Sequence, residues 1–390
     1  MNSRRDFLRQ IYGAALAAGA VPAFVSAAWS QSQSGPRIEI PGEYGLVVRS
    51  FRFIDLESPV EYFNSWLTPI PHFFVRNHMH EPSELDAETW RLTIRGEVEK
   101  PLTLKLNDLL KLPTHSVVNT LECAGNGRGF FRPQVPGVQW GKGAVGTARF
   151  SGPRLRDVLD RAGVKATGKF VMFRGLDEVP GKVPPFIRSI PIAKVLDGDT
   201  LIATHMNGAP LPKHHGFPAR ALMPGWVGAA SCKWLTEIKV LDSEFVGTFM
   251  NPGYRFPNHP PLPGGSVKPE DTHPLTALNV KSVIAGPIDG AKLKAGPVTV
   301  HGAAWAGEAD VVKVEISTDG SANWNPAKLG NDHAHYAWRL WSYEWKASVG
   351  EHVIMSRATD NQGRTQPATP VWNPSGYLYN AYDQVTVHVA

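Results

Sequence analysis

The chain has 390 residues, of which 42% are hydrophobic and 19% are charged, and its formal net charge is +5. This length allows two domains with full cores, and so small and dispersed a charge does not indicate nucleic-acid binding. Beyond residue 30 no apolar run is long enough to span a membrane. Only two cysteines occur, in no Cys-x-x-Cys-His arrangement, so we expect no covalently attached c-type haem.

Residues 1–30 have the pattern of an export signal. Arg4 and Arg5 precede a Phe-Leu pair, and an apolar, alanine-rich run follows from residue 11 to residue 28. A basic segment, a short apolar run and small residues are typical of a signal peptide. The paired arginines indicate the twin-arginine route, so we predict a periplasmic mature protein.

Residues 31–265 are predicted to form an α+β domain. Residues 31–60 are polar and marked by proline and glycine, and we expect them to cover this domain. Apolar spacing predicts, in chain order, a strand at 89–98, helices at 104–112 and 153–162, and strands at 170–173, 200–203 and 234–241. Ser151 is expected to cap the second helix and Gly163 to end it. No P-loop lysine occurs.

Residues 266–390 are predicted to form an immunoglobulin-like β-sandwich. The proline-rich stretch 251–274 breaks regular structure and suits a linker. Alternating apolar segments then follow at regular spacing, separated by Asp-Gly, Gly-Asn and Asn-Gln-Gly turns, at 297–303, 311–317, 337–345 and 352–358. Short alternating strands between such turns are typical of a sandwich.

Cys123 is the residue most indicative of chemistry. It follows an apolar run and opens a turn rich in glycine and asparagine at residues 120–128. We expect an accessible sulfur there, and nearby Arg128 would favour the thiolate, which is a soft metal ligand. A buried structural thiol is the alternative reading of this cysteine alone.

Seven stretches in a fixed order carry a family resemblance. They are residues 73–80 (FFVRNHMH), 121–128 (LECAGNGR), 140–149 (WGKGAVGTAR), 206–212 (MNGAPLP), 215–220 (HGFPAR), 224–235 (PGWVGAASCKWL) and 372–376 (WNPSG). Together they resemble the sulfite oxidase family of molybdopterin enzymes over residues 70–390. The resemblance implies a sulfite-oxidase-type molybdopterin-binding domain, followed by a β domain that forms a homodimer contact.

The resemblance also implies a catalytic group that consists of Cys123, Arg76, Arg128, His78, Trp140 and Tyr254. Cys123 would bind molybdenum, and the two arginines would pair with an oxyanion, for which a planar guanidinium is suited. Arg76 lies in an apolar run where an unpaired charge is costly to bury. The alternatives are a structural ion pair for Arg76, core packing for Trp140 and a surface aromatic for Tyr254.

A larger set matches positions that bind the molybdenum–molybdopterin cofactor: Phe74, Val75, Arg76, Asn77, His78, Cys123, Asp177, His215, Arg220, Ser231, Cys232 and Lys233. Cys232 falls in a Ser-Cys-Lys motif, so we expect no metal ligation by it and no disulfide. Zinc at His214 and His215 is disfavoured because no third ligand lies near in sequence. Ser375 replaces an arginine of the animal enzymes, and His78 could supply a compensating donor or charge.

These features predict a periplasmic molybdenum sulfite dehydrogenase that oxidises sulfite to sulfate. Its electrons would pass to a separate c-type cytochrome. The main alternative is a sulfane dehydrogenase subunit of a thiosulfate-oxidising complex, which would act on a protein-bound substrate. A methionine sulfoxide reductase is disfavoured because that group lacks the second β domain. An exported binding protein with an inert first domain is the rival from another class.

Overall fold

The computed structural model describes residues 37–40 and 43–390. The predicted twin-arginine signal over residues 1–30 lies outside the described residues. Among those described, no helix is both long enough and apolar enough to cross a membrane.

The described chain starts with an antiparallel sheet of three strands, β1 (Arg37–Ile40), β2 (Glu43–Ser50) and β3 (Asp55–Glu57). Within the segment expected to cover the first domain, residues 43–50 and 55–57 therefore form strands. Leu56 in β3 exchanges two backbone hydrogen bonds of 2.9 Å with Val75. This pairing brings β3 against the 73–80 stretch.

The rest of the first domain contains three short α-helices and two larger sheets. Its strands are β4 (Arg91–Gly96), β5 (Leu102–Lys105), β6 (Thr114–Glu122), β7 (Val145–Pro153), β8 (Phe170–Gly175), β9 (Ile187–Pro191), β10 (Leu201–Ala203), β11 (His205–Met206), β12 (Ala209–Pro210), β13 (Arg220–Leu222) and β14 (Leu235–Leu241). Its α-helices are α1 (Leu106–Leu110), α2 (Leu155–Ala162) and α3 (Ile192–Val195).

A five-stranded sheet of order β5-β4-β14-β8-β9 carries one core. Its β14 pairs parallel with β4 and antiparallel with β8, so the domain is a mixed α+β fold as predicted. Helix α2 packs Leu155, Val158 and Leu159 into this core. Burying each such side chain stabilises the fold by roughly 1.5–3 kcal/mol.

Two details of the predicted helices need correction. The helix predicted at 104–112 is shortened, because residues 102–105 pair with β4 as an edge strand. Ser151 does not cap α2, since it lies within β7 and the helix begins after Arg154 without a side-chain cap. Gly163 does end α2, with a φ of 68° that glycine adopts without strain.

A second sheet, of order β12-β11-β7-β6, places the cysteine. Strands β6 and β7 pair antiparallel without interruption from Thr114 opposite Pro153 to Glu122 opposite Val145. Glu122 is the last residue of β6, so Cys123 is the first residue beyond a largely buried strand. The strand end thereby fixes where the turn after Cys123 begins.

The second domain is the predicted β-sandwich. A short hairpin of β15 (Arg255–Pro257) and β16 (Thr272–Pro274) closes the proline-rich stretch. One sheet has the order β17-β19-β23-β22 and the other has the order β18-β25-β24-β20-β21. These strands are β17 (Lys281–Gly286), β18 (Ala291–Leu293), β19 (Gly296–Trp305), β20 (Val311–Ser317), β21 (Asn325–Pro326), β22 (Lys328–Leu329), β23 (Arg339–Ala347), β24 (Gly350–Asp360) and β25 (Asp383–Val389).

The second domain also contacts the first domain beside Cys123. The backbone N–H of Thr120 donates to the carbonyl of Tyr336 at 2.8 Å, and that of Leu378 donates to Ala124 at 2.8 Å. The indole N–H of Trp372 donates to Pro133 at 2.9 Å. Residues from both domains therefore surround the cysteine turn. The boundary predicted between residues 265 and 266 stays a prediction.

Candidate active site

The turn that follows β6 holds Cys123 in place. The N–H of Cys123 donates to Ala144 at 2.9 Å, and its carbonyl accepts from the N–H of Asn126 at 2.9 Å. Only 9% of Cys123 is exposed, so its sulfur does not lie at the open surface as we expected. Burial raises the pKa of this thiol, and Arg76 and Arg128 oppose that rise only in part. A bound metal would be needed to ionise it.

Two cavities meet at Cys123. The inner one measures about 70 Å³ and the outer one about 870 Å³. Both are lined by Arg76, His78, Cys123 and Tyr254. The inner cavity also contains the predicted residues Phe74, Asn77, Asp177, His215, Arg220, Ser231 and Lys233. Arg128 and Ser375 line the outer cavity. The fold therefore brings most of the predicted site together.

Three predicted site residues line neither cavity. Val75 points away from Arg76 on an extended segment and packs against Leu56. Cys232 is 1% exposed, and its thiol donates to the carbonyl of Lys233 at 3.7 Å. Trp140 is fully buried in the cluster behind Cys123. Trp140 thus has the core-packed surroundings of the alternative reading, and its place in the wall of the active site stays a prediction.

Arg76 is not an unpaired buried charge. Its Nη1 atom lies 3.1 Å from Oδ1 of Asp55, which is 1% exposed. Burial is the largest influence on Arg76 and lowers its pKa, but Asp55, Tyr254 and Cys123 together outweigh burial and the pKa is raised. Asp55 was missed because residues 31–60 carry no recognisable site pattern. The remaining N–H groups of Arg76 still face both cavities.

Arg128 supplies a charge with no carboxylate partner in the described part of the chain. Its Nε donates to the carbonyl of Ser375 at 3.0 Å, and Nη1 donates to that of Val138 at 3.2 Å. The guanidinium stacks over the ring of Tyr377 at 5.3 Å. Backbone carbonyls orient this charge without neutralising it, which suits an anion in the outer cavity.

His78 and Tyr254 form a hydrogen-bonded pair between His78 Nε2 and the tyrosine hydroxyl. The imidazole stacks on Phe186 with ring centroids 4.0 Å apart. Burial, followed by the charges of Arg76 and Arg188, lowers the pKa of His78 well below its ordinary value. His78 is therefore neutral, and the expected compensating positive charge is corrected to a hydrogen bond.

Sequence reasoning missed Arg188, which lies beneath Tyr254. Arg188 is 1% exposed and its guanidinium carbon is 4.9 Å from the centroid of the tyrosine ring. It donates to the carbonyl of Phe249, while its Nε has no hydrogen-bond partner. The available signal was an arginine within the apolar sequence of β9. A charge at a buried position is usually paired with another group, so Arg188 could have been selected as a site residue.

The inner cavity concentrates positive charge. Lys233 donates to Asn77 and to the carbonyl of His214, and burial lowers its pKa to about 8. Burial lowers the pKa of Arg220 to about 10 and raises that of Asp177 to about 6. Arg220 donates at 3.0 Å to the carbonyls of His215 and Ser231.

These residues fit an anionic cofactor that carries a soft metal. The Nε of Arg220 is buried without a partner, which leaves a donor for an anionic group. Gly228 lines the same cavity, and a Cβ there would make a tight contact of 3.1 Å with the carbonyl oxygen of Glu122. Cys123 is the one thiol among the residues lining this cavity. No cluster of three histidine, cysteine or acidic residues suited to a metal ion occurs in the described ranges 37–40 and 43–390.

Comparison with known families gives two matches along the chain. Residues 78–249 match the family described as oxidoreductase molybdopterin binding domain. Residues 272–390 match the family described as Mo-co oxidoreductase dimerisation domain. The two matches correspond to the first domain and to the β-sandwich.

Known proteins resemble the chain over most of its length. Mitochondrial sulfite oxidase of Rattus norvegicus is 37% identical over 361 residues, which are 88% of this chain and 66% of that protein. Sulfite oxidase of Arabidopsis thaliana is 31% identical, and the match covers 84% of this chain and 89% of the Arabidopsis protein. The sulfane dehydrogenase SoxCD from Paracoccus pantotrophus superposes with a TM-score of 0.77 and 26% identity, covering 97% and 96% of the two chains. This chain thus spans slightly less than two thirds of the rat protein.

Proposed function

Because the chain belongs to the sulfite oxidase family of molybdopterin oxidoreductases, we propose that it is a molybdenum-dependent sulfite dehydrogenase. Its cofactor is molybdenum held by molybdopterin. The reaction converts sulfite and water into sulfate, two protons and two electrons. One observation carries the proposal: the thiol of Cys123 stands where a cation-lined inner cavity meets an arginine-bearing outer cavity.

In this proposal the residues that line the inner cavity would hold the metal and the phosphate of the cofactor. Cys123 would be the protein ligand of the metal, and Arg220 and Lys233 would bind the phosphate of the pterin. The cofactor would supply oxygen transfer and accept two electrons. A bound metal would stabilise the Cys123 sulfur as the thiolate and so offset the burial that raises its pKa.

The outer cavity receives sulfite. Arg128 pairs with its oxygens, and the N–H groups of Arg76 that Asp55 leaves free add a second contact. The neutral His78 and the hydroxyl of Tyr254 are hydrogen-bonded to each other and orient the anion. Ser375 contributes only its carbonyl, by holding Arg128 in position.

The partners and compartment are part of the same proposal. Electrons leave one at a time to a separate c-type cytochrome, because the chain has no Cys-x-x-Cys-His of its own. The signal pattern of residues 1–30 supports export of the mature protein to the periplasm by the twin-arginine route. The segment that matches a dimerisation domain supports a homodimer.

A sulfane dehydrogenase is the second candidate. The outer cavity, of about 870 Å³, has room for a segment of a carrier protein as well as for a small anion. The similarity to SoxCD over nearly the whole chain supports the same reading. In that case the substrate sulfur is attached to a carrier protein, whose segment enters the outer cavity.

A pair of cysteine variants and a pair of substrates test the proposal. We expect about one molybdenum per chain and loss of turnover in Cys123→Ser, because a serine hydroxyl is a poor soft-metal ligand. Cys232→Ser is the matched control and keeps most of the activity. Reversed phenotypes would contradict the ligand assignment. Reduction of an added cytochrome c by free sulfite supports the first candidate, and reduction only by carrier-bound sulfur supports the second.

A further inference from the structure

Glu122, the residue before Cys123, has a buried carboxylate that both domains contact. Its Oε1 accepts hydrogen bonds from Lys281 Nζ at 3.0 Å and from Asn126 Nδ2 at 2.8 Å. Its Oε2 accepts from the indole N–H of Trp305 at 2.8 Å. Glu122 is 6% exposed and Lys281 is 4% exposed. A buried ion pair of this kind depends on complete hydrogen bonding.

Lys281 and Trp305 both come from the β-sandwich. Lys281 opens β17, and Trp305 ends the neighbouring strand β19, directly opposite it in register. The ammonium of Lys281 lies 5.8 Å from the centroid of the Trp305 ring and 5.9 Å from that of Tyr379. Both donors are therefore fixed by the sandwich and directed at one carboxylate of the first domain.

Asn126 connects this carboxylate to the cysteine turn. Its amide nitrogen donates to Glu122, and its side-chain oxygen accepts from the N–H of Ala144 at 3.1 Å. The backbone N–H of Asn126 closes the turn onto the carbonyl of Cys123 at 2.9 Å. A displacement of Glu122 is thereby transmitted to both backbone contacts that hold Cys123.

We propose that Lys281 is a positioning residue for the metal ligand, and that it acts through Glu122 and Asn126 on the direction of the Cys123 sulfur. The proposal rests on the proposed function only in taking Cys123 as the ligand of molybdenum. The β-sandwich is then part of the metal centre's support, in addition to any role in dimer formation.

The test compares Lys281→Met with Lys194→Met in the full chain. Lys194 is a suitable control because it makes another ion pair between the domains, with Glu308 at 2.6 Å, away from the cysteine turn. In metal-free protein we expect Lys281→Met to raise the alkylation rate of Cys123 about tenfold, as local opening becomes easier. Lys194→Met should stay within about twofold of the parent.

Cys232 reports on global unfolding in the same experiment, because it is buried in another core cluster. Its alkylation rate should stay at the parental value in both variants. In molybdenum-loaded protein the Mo(V) electron paramagnetic resonance spectrum should shift in Lys281→Met and stay unchanged in Lys194→Met. The double variant Glu122→Gln/Lys281→Met removes both buried charges and keeps the test valid if Lys281→Met folds poorly.

Equal alkylation rates at Cys123 in the Lys281 and Lys194 variants, with an unshifted Mo(V) spectrum, would overturn the proposal. So would a parallel rise at Cys232 in both the single and the double variant, since the effect would then be global. The alkylation measurement needs neither metal nor substrate. A failure of sulfite turnover therefore leaves it intact, and the two proposals fail separately.

Discussion

At the scale of single residues, burial decides what the charged groups can do. His78 is kept neutral by burial and neighbouring cations, whereas Arg76 keeps its charge because Asp55 pairs with it. Arg128 has no carboxylate partner among the described residues and lies beside the outer cavity, where two backbone carbonyls and the ring of Tyr377 contact it. Burial and neighbours thus leave one neutral hydrogen-bonding group, one paired cation and one cation without a carboxylate partner.

Arg128→Gln should weaken sulfite use chiefly through KM. Losing one charged hydrogen-bonding group costs roughly 1.5–3 kcal/mol, which lowers kcat/KM by about 10- to 150-fold. The charge pairs with substrate in the ground and transition states alike, so kcat changes less. Steady-state kinetics with a molybdenum count measures this. An unchanged KM at full molybdenum occupancy would show that Arg128 has only a structural role.

Anion binding to metal-free protein should weaken in two steps as pH rises. Asp177, with a pKa of about 6, becomes negative in the first step, and Lys233, with a pKa of about 8, loses its charge in the second. Both changes disfavour an anion in the inner cavity, so affinity for sulfate is highest below the first step. Calorimetric titration measures it, since sulfate keeps its charge throughout.

Asp177→Asn is the control for this pH dependence. Its neutral amide should abolish the step near pH 6 and move the Lys233 step below pH 8, because the Asp177 carboxylate raises the pKa of Lys233. A first step that persists in Asp177→Asn would assign it to another group. A sulfate affinity independent of pH would remove Lys233 from the anion site altogether.

At the scale of elements, the turn after β6 is shaped by the side chains that fill it. Arg128 folds back over Gly125, where an added Cβ would lie 2.6 Å from its Nη2 atom. Gly127 has a φ of 86°, and an added Cβ there would meet the ring of Tyr379 at 2.7 Å. The glycines of this motif therefore make room for side chains that contact the turn from both domains.

Gly125→Ala should displace the Arg128 guanidinium and raise KM for sulfite, because the new methyl group occupies its place. We expect KM to rise at least several-fold while the molybdenum content stays unchanged. The rise is limited by the loss of the whole charged contact, which is worth about 1.5–3 kcal/mol. Gly198→Ala is the matched control, as its Cβ would approach only Arg156, at an ordinary 3.5 Å. Equal KM values in the two variants would show that Arg128 adjusts without loss.

At the scale of the whole molecule, the second domain contacts the first on both sides of the metal-ligand candidate Cys123. Its backbone bonds to Thr120 and Ala124 flank the cysteine on either side, and Lys281 reaches the residue before it. A second buried ion pair between the domains joins Lys142 to Asp383 at 2.7 Å. In the pair Lys281–Glu122 the cation belongs to the second domain, whereas in Lys142–Asp383 it belongs to the first. An orientation of the domains that exchanged these partners would bring like charges together, so the two pairs favour the observed orientation.

The mature protein should be a homodimer held through residues after about 275, where the dimerisation-domain match lies. Sedimentation velocity across a range of concentrations measures this, and the dimer should persist at micromolar concentration. A monomer at that concentration would contradict the prediction. The Lys194→Met variant should sediment as the parent does, since its ion pair lies within one chain.

The sequence by itself determined the family, its cofactor and the β-sandwich that follows the first fold. Cys123 in its glycine-rich turn, the seven ordered stretches and the alternating strands after residue 275 depend on local pattern, which a sequence records directly. Most predicted site residues do gather at two adjoining cavities. The family, the cofactor and the β-sandwich are confirmed, whereas the compartment and the electron acceptor stay predictions.

Only the tertiary structure decided how those residues are paired. Arg76 meets Asp55 across 21 residues, His78 meets Tyr254 across 176, and Lys281 meets Glu122 across 159. Contacts so distant along the chain leave no local periodicity, and the burial that shifts a pKa arises only after folding. The packing around Trp140 also depends on contacts that are distant along the chain, because its neighbours come from several strands. The sequence therefore could not decide between core packing and a place in the active-site wall.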